Sequence, residues 1–335
     1  MLHIAILGAG NIAGTMAKTL NGMEEKDQRF CCYAVAAREY ERAKEFAEKH
    51  GFEKAYGSYE EMLADENVDF VYIATPHGYH YEHIKLCLEH GKHVLCEKAF
   101  TLNASQAREV FAIAKEKGLL LTEAIWPRYQ PMRKILDDLL ASGVIGKVHL
   151  MVANIAFDSD HVPRMYRPEL GGGALLDITL YPLNTAIMAF GDQVTKVDSS
   201  VQMTDLGVDA QESITLHFAD GKMAVIAASM YAQGDTSVMF CGENGRIHLE
   251  NIFNPISLTV YNKQGDLVET ILRPEQITGY EYEVRSCMKA IEAGESECPE
   301  MPHKDTLFML DLMDGLRAQW GMKYPVAKEA LCDSL

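Results

Sequence analysis

The sequence predicts two domains of different construction: an α/β N-terminal domain built on a parallel sheet with helices on both faces, and an α+β C-terminal domain with an open, mostly antiparallel sheet. Three observations predict this. The chain has 335 residues, more than one domain of about 150 residues needs. As far as Glu123, short apolar runs alternate with helical stretches of roughly 10–15 residues, the pattern of strands joined by crossover helices. From Ala124 on, short alternating runs separated by turn residues replace that rhythm. The expected division is therefore 1–123 and 124–335.

The elements follow in order. Ile4 to Leu7 is apolar, and Ile12, Met16 and Leu20 recur every four residues until Asn21-Gly22, so strand, turn and helix are expected, with the helix stopping there. Cys31 to Ala36 reads as the second strand and Glu39 to His50 as a charged helix with Ala43, Phe46 and Ala47 on one side and Gly51 as its stop. Strands at Asp69–Ala74, His93–Cys96 and Leu119–Glu123 alternate with helices at Tyr81–His90 and Ala104–Lys117. In the second part, strands are expected at 147–157, 196–204, 211–218, 223–231, 237–241, 246–250, 257–261 and 267–272. Turn signals such as Ala219-Asp220-Gly221 and Glu243-Asn244-Gly245 punctuate them. Helices are expected at 133–141, 175–190, 280–292 and 304–320, the last packing back on the first domain.

Composition excludes several classes. Thirty-one Lys and Arg against forty-eight Asp and Glu give a net charge of −17, which repels polyphosphate and anionic lipid, so nucleic acid and membrane surfaces are not expected partners. No uninterrupted apolar run approaches the ~18 residues of a membrane span. The eight cysteines are scattered without a CxxC pair, the N-terminus has no basic leader before its apolar run, and a cytoplasmic location is expected.

Gly8-Ala9-Gly10-Asn11-Ile12-Ala13 joins the first strand to the first helix. In a Rossmann dinucleotide site Gly8 would permit the tight turn, Gly10 would admit the pyrophosphate to the backbone, and small Ala13 would let the helix pack close to the strand. The N–H groups from Asn11 and Ile12 onward would then hold the phosphates. Small residues at such a turn can also serve packing alone; the surrounding strand, helix and second strand favour the cofactor. Phe30 to Arg38 contains no acid to bind a ribose 2′-hydroxyl and ends on Arg38, whose planar donors suit a 2′-phosphate. NADP(H) is the expected cofactor, with NAD(H) as the alternative should Glu39 be the discriminating residue.

Lys98 stands just past the carboxyl end of an expected parallel strand, where an open α/β sheet binds its ligand. The strings Gly8 to Ala13, Thr75-Pro76-His77-Gly78-Tyr79-His80, Glu97-Lys98, Glu123-Ala124-Ile125-Trp126 and Gly171-Gly172-Gly173-Ala174-Leu175-Leu176-Asp177 together resemble the glucose–fructose oxidoreductase/inositol dehydrogenase/MocA (Gfo/Idh/MocA) family. Trp126, His161-Val162-Pro163-Arg164 and Asp177-Ile178-Thr179-Leu180-Tyr181 are most similar to its dihydrodiol dehydrogenase branch. The resemblance spans nearly the whole chain. It implies a nucleotide-binding N-domain, a C-domain whose open sheet makes a homodimer, and hydride transfer between a nicotinamide and a small diol, polyol or sugar. It also implies Lys98, Asp177 and Tyr181 as catalytic residues, and cofactor contacts from Thr75, Pro76, His77, His80, Glu97, Lys98, Trp126 and Arg128. Substrate contacts are implied for Trp126, His161, Arg164, Asp177 and Tyr181. Two departures stand out: Ala99 replaces the family's usual proline after Glu-Lys, and Tyr181 stands where a histidine is more common.

The residue chemistry fits that set. Asp177 and Tyr181 are four apart and share a helix face, although Pro182 predicts an irregular first turn. A phenol titrates near pH 10, and a nearby ammonium stabilises its phenolate, so Tyr181 is expected to exchange the substrate proton with Lys98 assisting and Asp177 orienting the diol. Taken singly, each residue has a plainer reading: Trp126 as packing between domains, Arg164 as a surface ion-pair residue, and Cys96 as a buried strand thiol. His77, His80, His83, His90 and His93 lack a completing carboxylate or cysteine, so no metal is expected. The rival functions are an NAD-dependent sugar or inositol dehydrogenase and a sugar-sensing regulator without catalysis.

Overall fold

The computed structural model describes residues 1–25, 27–159 and 162–325. Two compact units emerge, one of 1–129 with 276–307 and the other of 130–275 with the chain from Phe308 on. The division falls at 129/130, and the chain returns to the first unit near its end.

The first unit holds a six-stranded sheet in the order β3-β2-β1-β4-β5-β6, all parallel. Its elements are β1 (Leu2–Leu7), α1 (Asn11–Glu24), β2 (Phe30–Ala36), α2 (Tyr40–His50), β3 (Lys54–Tyr56), α3 (Tyr59–Leu63), β4 (Phe70–Ile73), α4 (His80–Glu89), β5 (His93–Glu97), α5 (Ala104–Lys117) and β6 (Leu121–Ala124). All strands but β3 are largely buried on both faces, as apolar runs such as Phe70-Val71-Tyr72-Ile73 require. β1 pairs with β2 on one side and β4 on the other, so strand order reverses there and opens a crevice at the carboxyl ends.

Two features of this unit differ from expectation. α1 runs through Asn21-Gly22 to Glu24 because tertiary contacts override the stop signal. Asn21 Nδ2 donates to His50 O at 2.8 Å, and a Cβ on Gly22 would fall 2.8 Å from Ile277 Cγ2, so the glycine admits a neighbouring segment. β3 and α3 carried no apolar signature of their own.

The second unit begins with α6 (Pro131–Ser142) and β7 (Val148–Ala156), then α7 (Leu180–Phe190) and the strands β8 (Val194–Met203), β9 (Asp209–Phe218), β10 (Met223–Ser229), β11 (Val238–Gly242), β12 (Gly245–Glu250), β13 (Ser257–Asn262) and β14 (Leu267–Leu272). The eight-stranded sheet has the order β14-β13-β12-β11-β7-β10-β9-β8 and is antiparallel except where β10 runs parallel to β7. Ile214, Leu216 and Phe218 of β9 point into the core beside Ala224 and Ile226 of β10, whereas Ser200, Gln202, Gln211 and Ser213 line the opposite, open face. The helical stretch 168–190 is apolar enough by length and composition to cross a membrane, yet 83% of its window is buried inside the protein, as a core helix would be. α8 (Glu281–Ala293) returns to the first unit. α9 (His303–Trp320) is divided: its first turn belongs to the first unit, and from Phe308 it belongs to the second rather than packing wholly on the first.

Candidate active site

In the first unit the predicted cofactor residues gather at the carboxyl ends of the parallel strands. Gly8 adopts φ +106°, and a Cβ there would lie 3.1 Å from Ala74 O, so the β1 turn is closed to any larger residue. A Cβ on Gly10 would meet nothing within 4 Å, which leaves open space over the first turn of α1. That turn has no acidic residue and no side-chain cap, so the N–H groups from Asn11 and Ile12 onward present a positive end to that space. This is the chemistry a dinucleotide diphosphate requires, and the site fits the cofactor.

Arg38 is exposed just past β2. The structure adds Arg42, whose Nη2 donates to Ala9 O at 3.4 Å and so brings a second guanidinium to the glycine turn. Sequence reasoning missed it, since Arg42 lies in the first turn of α2 and its reach to Ala9 O depends on how that helix packs.

Thr75, Pro76 and His77 form the turn after β4, with His77 in a short 3-10 turn and buried. Thr75 Oγ1 is 2.9 Å from His83 Nδ1, and burial pushes the His83 imidazole down to about 3, so it stays neutral. His80 corrects the expectation of a direct cofactor contact. Its ring is fully buried, with Nδ1 2.8 Å from Ala99 O and Nε2 2.7 Å from Thr75 O. The neutral ring donates to one of these carbonyls, which one depending on its tautomer, and packs against the other, so it sits wedged between two loops. Burial holds the ring below the usual histidine range, against the two carbonyls, which favour protonation.

Lys98 is half-buried at the end of β5, and the Lys98–Ala99 peptide is cis. Its loop is anchored from several sides. Lys98 N–H donates to Glu97 Oε2 at 3.2 Å, Tyr72 donates its hydroxyl to Glu97 Oε1, and Phe100 N–H donates to Glu123 Oε1 at 3.2 Å. Glu123 also accepts from Thr306 Oγ1 at 3.0 Å, and burial raises its carboxyl to about 7. Deeper still, Glu283 of α8 is fully buried with neither carboxylate oxygen hydrogen-bonded among the described residues, and burial followed by the Glu97 charge pushes it well above the carboxylate range.

Trp126 stacks on Tyr280 with centroids 4.2 Å apart and planes 7° from parallel, a flat aromatic pair beside β6 whose buried Nε1 finds no partner among the described residues. Arg128 also departs from its expected role. It is buried, its Nε donates to Glu300 O at 3.0 Å, and its Nη2 pairs with Asp305, so it braces the first unit from within rather than offering a guanidinium to a cofactor. Among the described residues no group of three His, Cys, Asp or Glu could hold a metal ion.

The remaining predicted residues lie in the second unit. Leu175–Thr179 forms a π-helical turn that runs into α7, with Leu180 N–H reaching Leu175 O. Pro182 falls in the first turn of α7, where its missing N–H is tolerated, so the expected irregularity is a π turn rather than a kink. Asp177 on this turn is buried and makes a two-point pair with the exposed Arg164, Nη1 to Oδ1 at 3.1 Å and Nη2 to Oδ2 at 3.3 Å. Tyr181 is 6% exposed, its ring edge-on to Phe253 at 4.6 Å. His161 lies outside the described residues.

Known proteins resemble the chain over both units. Residues 2–125 match the oxidoreductase family with an NAD-binding Rossmann fold, and residues 134–248 match the GFO/IDH/MocA C-terminal domain. Trans-1,2-dihydrobenzene-1,2-diol dehydrogenase of Xenopus tropicalis is 33% identical over 327 residues, 96% of this chain and 98% of that protein. The Homo sapiens enzyme of the same name is 33% identical over 98% of this chain and 99% of its own length. The 3-ketoreductase KijD10 from Actinomadura kijaniata, solved with NADP and TDP-benzene, superposes with a TM-score of 0.85 at 28% identity over 95% of this chain and 97% of its own. Levoglucosan dehydrogenase, solved with NADH and levoglucosan, shares the fold with a TM-score of 0.84 at 19% identity over 97% of this chain and 99% of its own. A glycine turn shaped for a dinucleotide, a strand-end lysine and matches across both domains lead to one assignment: the chain belongs to the Gfo/Idh/MocA family and is an NAD(P)-dependent oxidoreductase.

Proposed function

We propose that the protein is an NADP-preferring dehydrogenase, or the matching carbonyl reductase, acting on a secondary alcohol of a cyclic vicinal diol, polyol or sugar-like compound. One observation carries this reading: a third of the residues are shared, over 96% of the chain, with dehydrogenases named for a trans-dihydrodiol. The chain also has the lysine, carboxylate and phenol that moving a hydroxyl proton requires.

In the oxidative direction the phenolate of Tyr181 takes the substrate hydroxyl proton while the carbinol C–H bond breaks and C=O forms. Lys98 stabilises that phenolate as an ammonium, and Asp177, fixed by Arg164, accepts a hydrogen bond from the neighbouring hydroxyl. When bound, NADP supplies the hydride acceptor at nicotinamide C4. Gly8, Gly10 and the start of α1 would hold its diphosphate, Arg38 and Arg42 would pair with the 2′-phosphate, and Glu97 and Trp126 would contact the nicotinamide half. The scattered cysteines support a cytoplasmic location, and the polar, small-residue face of the second sheet supports a homodimer through that face.

The test is turnover of trans-1,2-dihydrobenzene-1,2-diol and a polyol and sugar panel with NADP or NAD, followed by absorbance of the reduced nicotinamide. Turnover with NADP at the lower KM is expected. Failure with every substrate and both cofactors would end the reading.

A further inference from the structure

The triple glycine 171–173 is explained by packing beneath it, all within the second unit. A Cβ on Gly172 would lie 2.6 Å from Met165 O and 2.7 Å from Arg164 O, and one on Gly173, at φ +109°, would lie 2.2 Å from Asp209 Oδ1. The glycines let the turn lie directly on the backbone that carries Arg164 and on a buried carboxylate. Gly173 N–H donates to Met165 O at 2.8 Å, Tyr324 donates its hydroxyl to Gly172 O at 2.5 Å, and Asp209 Oδ2 accepts from Leu175 N–H at 2.5 Å. Asp209 thus caps the first residue of the π turn that carries Asp177 and leads to Tyr181.

We propose that Asp209 is a positioning residue for the reaction, holding the 171–175 turn against the Arg164 segment, and that it shares one proton with Glu212 behind it, so that two buried carboxyls occupy one place. The proposal rests on the dehydrogenase reading above. Asp209 is fully buried and Glu212 is 5% exposed; Asp209 Oδ1, both Glu212 oxygens and the Thr179 hydroxyl have no hydrogen-bond partner at ordinary geometry among the described residues. Two unscreened carboxylates cannot both ionise there. Burial raises both carboxyls: Asp209 against the Leu175 N–H bond and the charge of Arg317, which sits over the Tyr324 ring at 4.9 Å, and Glu212 with the Asp209 charge added, so the pair holds a proton between them. Asp209 meets neither substrate nor cofactor in this arrangement; it acts through the turn.

The experiment compares wild type, Asp209→Ala, Asp209→Asn and Glu212→Gln as full chains, by amide hydrogen exchange over 171–181 and by steady-state kinetics with NADP and trans-1,2-dihydrobenzene-1,2-diol. Asp209→Ala is expected to speed exchange at Leu175 and to lower kcat about a hundredfold with little change in KM for NADP. Asp209→Asn, whose amide oxygen can still accept from Leu175, recovers part of both. Glu212→Gln, shaped like the protonated acid, keeps wild-type exchange and kcat. Native protection of Leu175 in Asp209→Ala, unchanged kcat beside faster exchange, or damage in Glu212→Gln equal to Asp209→Ala would overturn the proposal. Should Asp209→Ala fail to fold, Asp209→Asn and Glu212→Gln decide it by the same readouts. A wild type inactive on every diol and sugar sinks the dehydrogenase reading instead, and Leu175 exchange still decides whether Asp209 holds the turn.

Discussion

Arg164 and Asp177 face each other fork to fork in the second unit, with an exposed guanidinium closing over a buried carboxylate at 3.1 and 3.3 Å. The pair fixes both oxygens of Asp177 in one plane, which a lysine at 164 could not do. Arg164→Ala should therefore lower kcat/KM for a diol about 10–100-fold while KM for NADP stays within about twofold, and Arg164→Lys should fall between. Steady-state kinetics with each substrate varied in turn checks this; an equal loss in both KM values would place Arg164 outside the substrate site.

His80 is wedged between the Thr75 and Ala99 loops, its ring nitrogens 2.7 and 2.8 Å from their carbonyls. His80→Ala should leave a buried cavity and one carbonyl without its donor, at a cost of about 2–4 kcal/mol in folding stability. Because the two loops border the cofactor site, affinity for NADPH should also weaken, read by quenching of its fluorescence. A variant that is destabilised yet binds NADPH as wild type does would restrict His80 to a folding role.

Lys98 lies at the strand end, with its backbone fixed by Glu97. Lys98→Met keeps the length and apolar stem of the side chain but not the ammonium, so turnover should be abolished while NADPH binding persists. Isothermal titration beside the activity assay separates the two. Wild-type turnover in Lys98→Met would refute its part in proton transfer.

Arg38 is exposed just past β2, Arg42 Nη2 donates to Ala9 O of the glycine turn, and no carboxylate occurs from Phe30 to Arg38. Arg38→Ala and Arg42→Ala should each raise KM for NADP about tenfold and leave KM for NAD nearly unchanged, since only NADP carries the 2′-phosphate. The ratio of kcat/KM for the two cofactors is the measurement, and an unchanged ratio in the double variant would transfer discrimination to Glu39.

Much of this was legible because burial on both faces forces parallel strands into apolar runs: Ile4–Leu7, Asp69–Ala74 and His93–Cys96 all lie on or within a residue of observed strands. β3 was not legible, since a three-residue strand with half-buried Lys54, Ala55 and Tyr56 carries no such signal. The course of α1 past Gly22 depends on Ile277, more than 250 residues away, and no local window contains that contact. The same holds for the site. Gly8, Lys98 and Asp177 stand in recognisable strings, whereas Asp209 meets Leu175 from 34 residues downstream and Glu283 reaches the neighbourhood of Glu97 from a helix that rejoins the first unit near the chain's end. Arg128 and His80 were placed on the right segments, but their directions depended on Asp305, Glu300 and Ala99.

Glu123 makes the first unit's stability depend on pH in a way that can be signed. Burial raises its carboxyl from 4.5 to about 7 in the folded chain, opposed by the bonds from Thr306 and Phe100. The folded state thus holds a proton that the unfolded state has released, and stability falls as pH rises from about 4.5 to 7, by at most about 3 kcal/mol for this group, then levels off. Glu283, also raised by burial, adds a slope of the same sign. The quantity to measure is therefore the difference between wild type and Glu123→Gln in urea melts at pH 5 and pH 7.5. Glutamine cannot accept both of Glu123's bonds, so the variant should be the less stable at pH 5, and the gap should narrow or reverse at pH 7.5. A gap that widens with pH would mean that Glu123 is ionised throughout, with Phe100 and Thr306 outweighing burial, and the anchor behind the Lys98 loop would be a carboxylate rather than an acid.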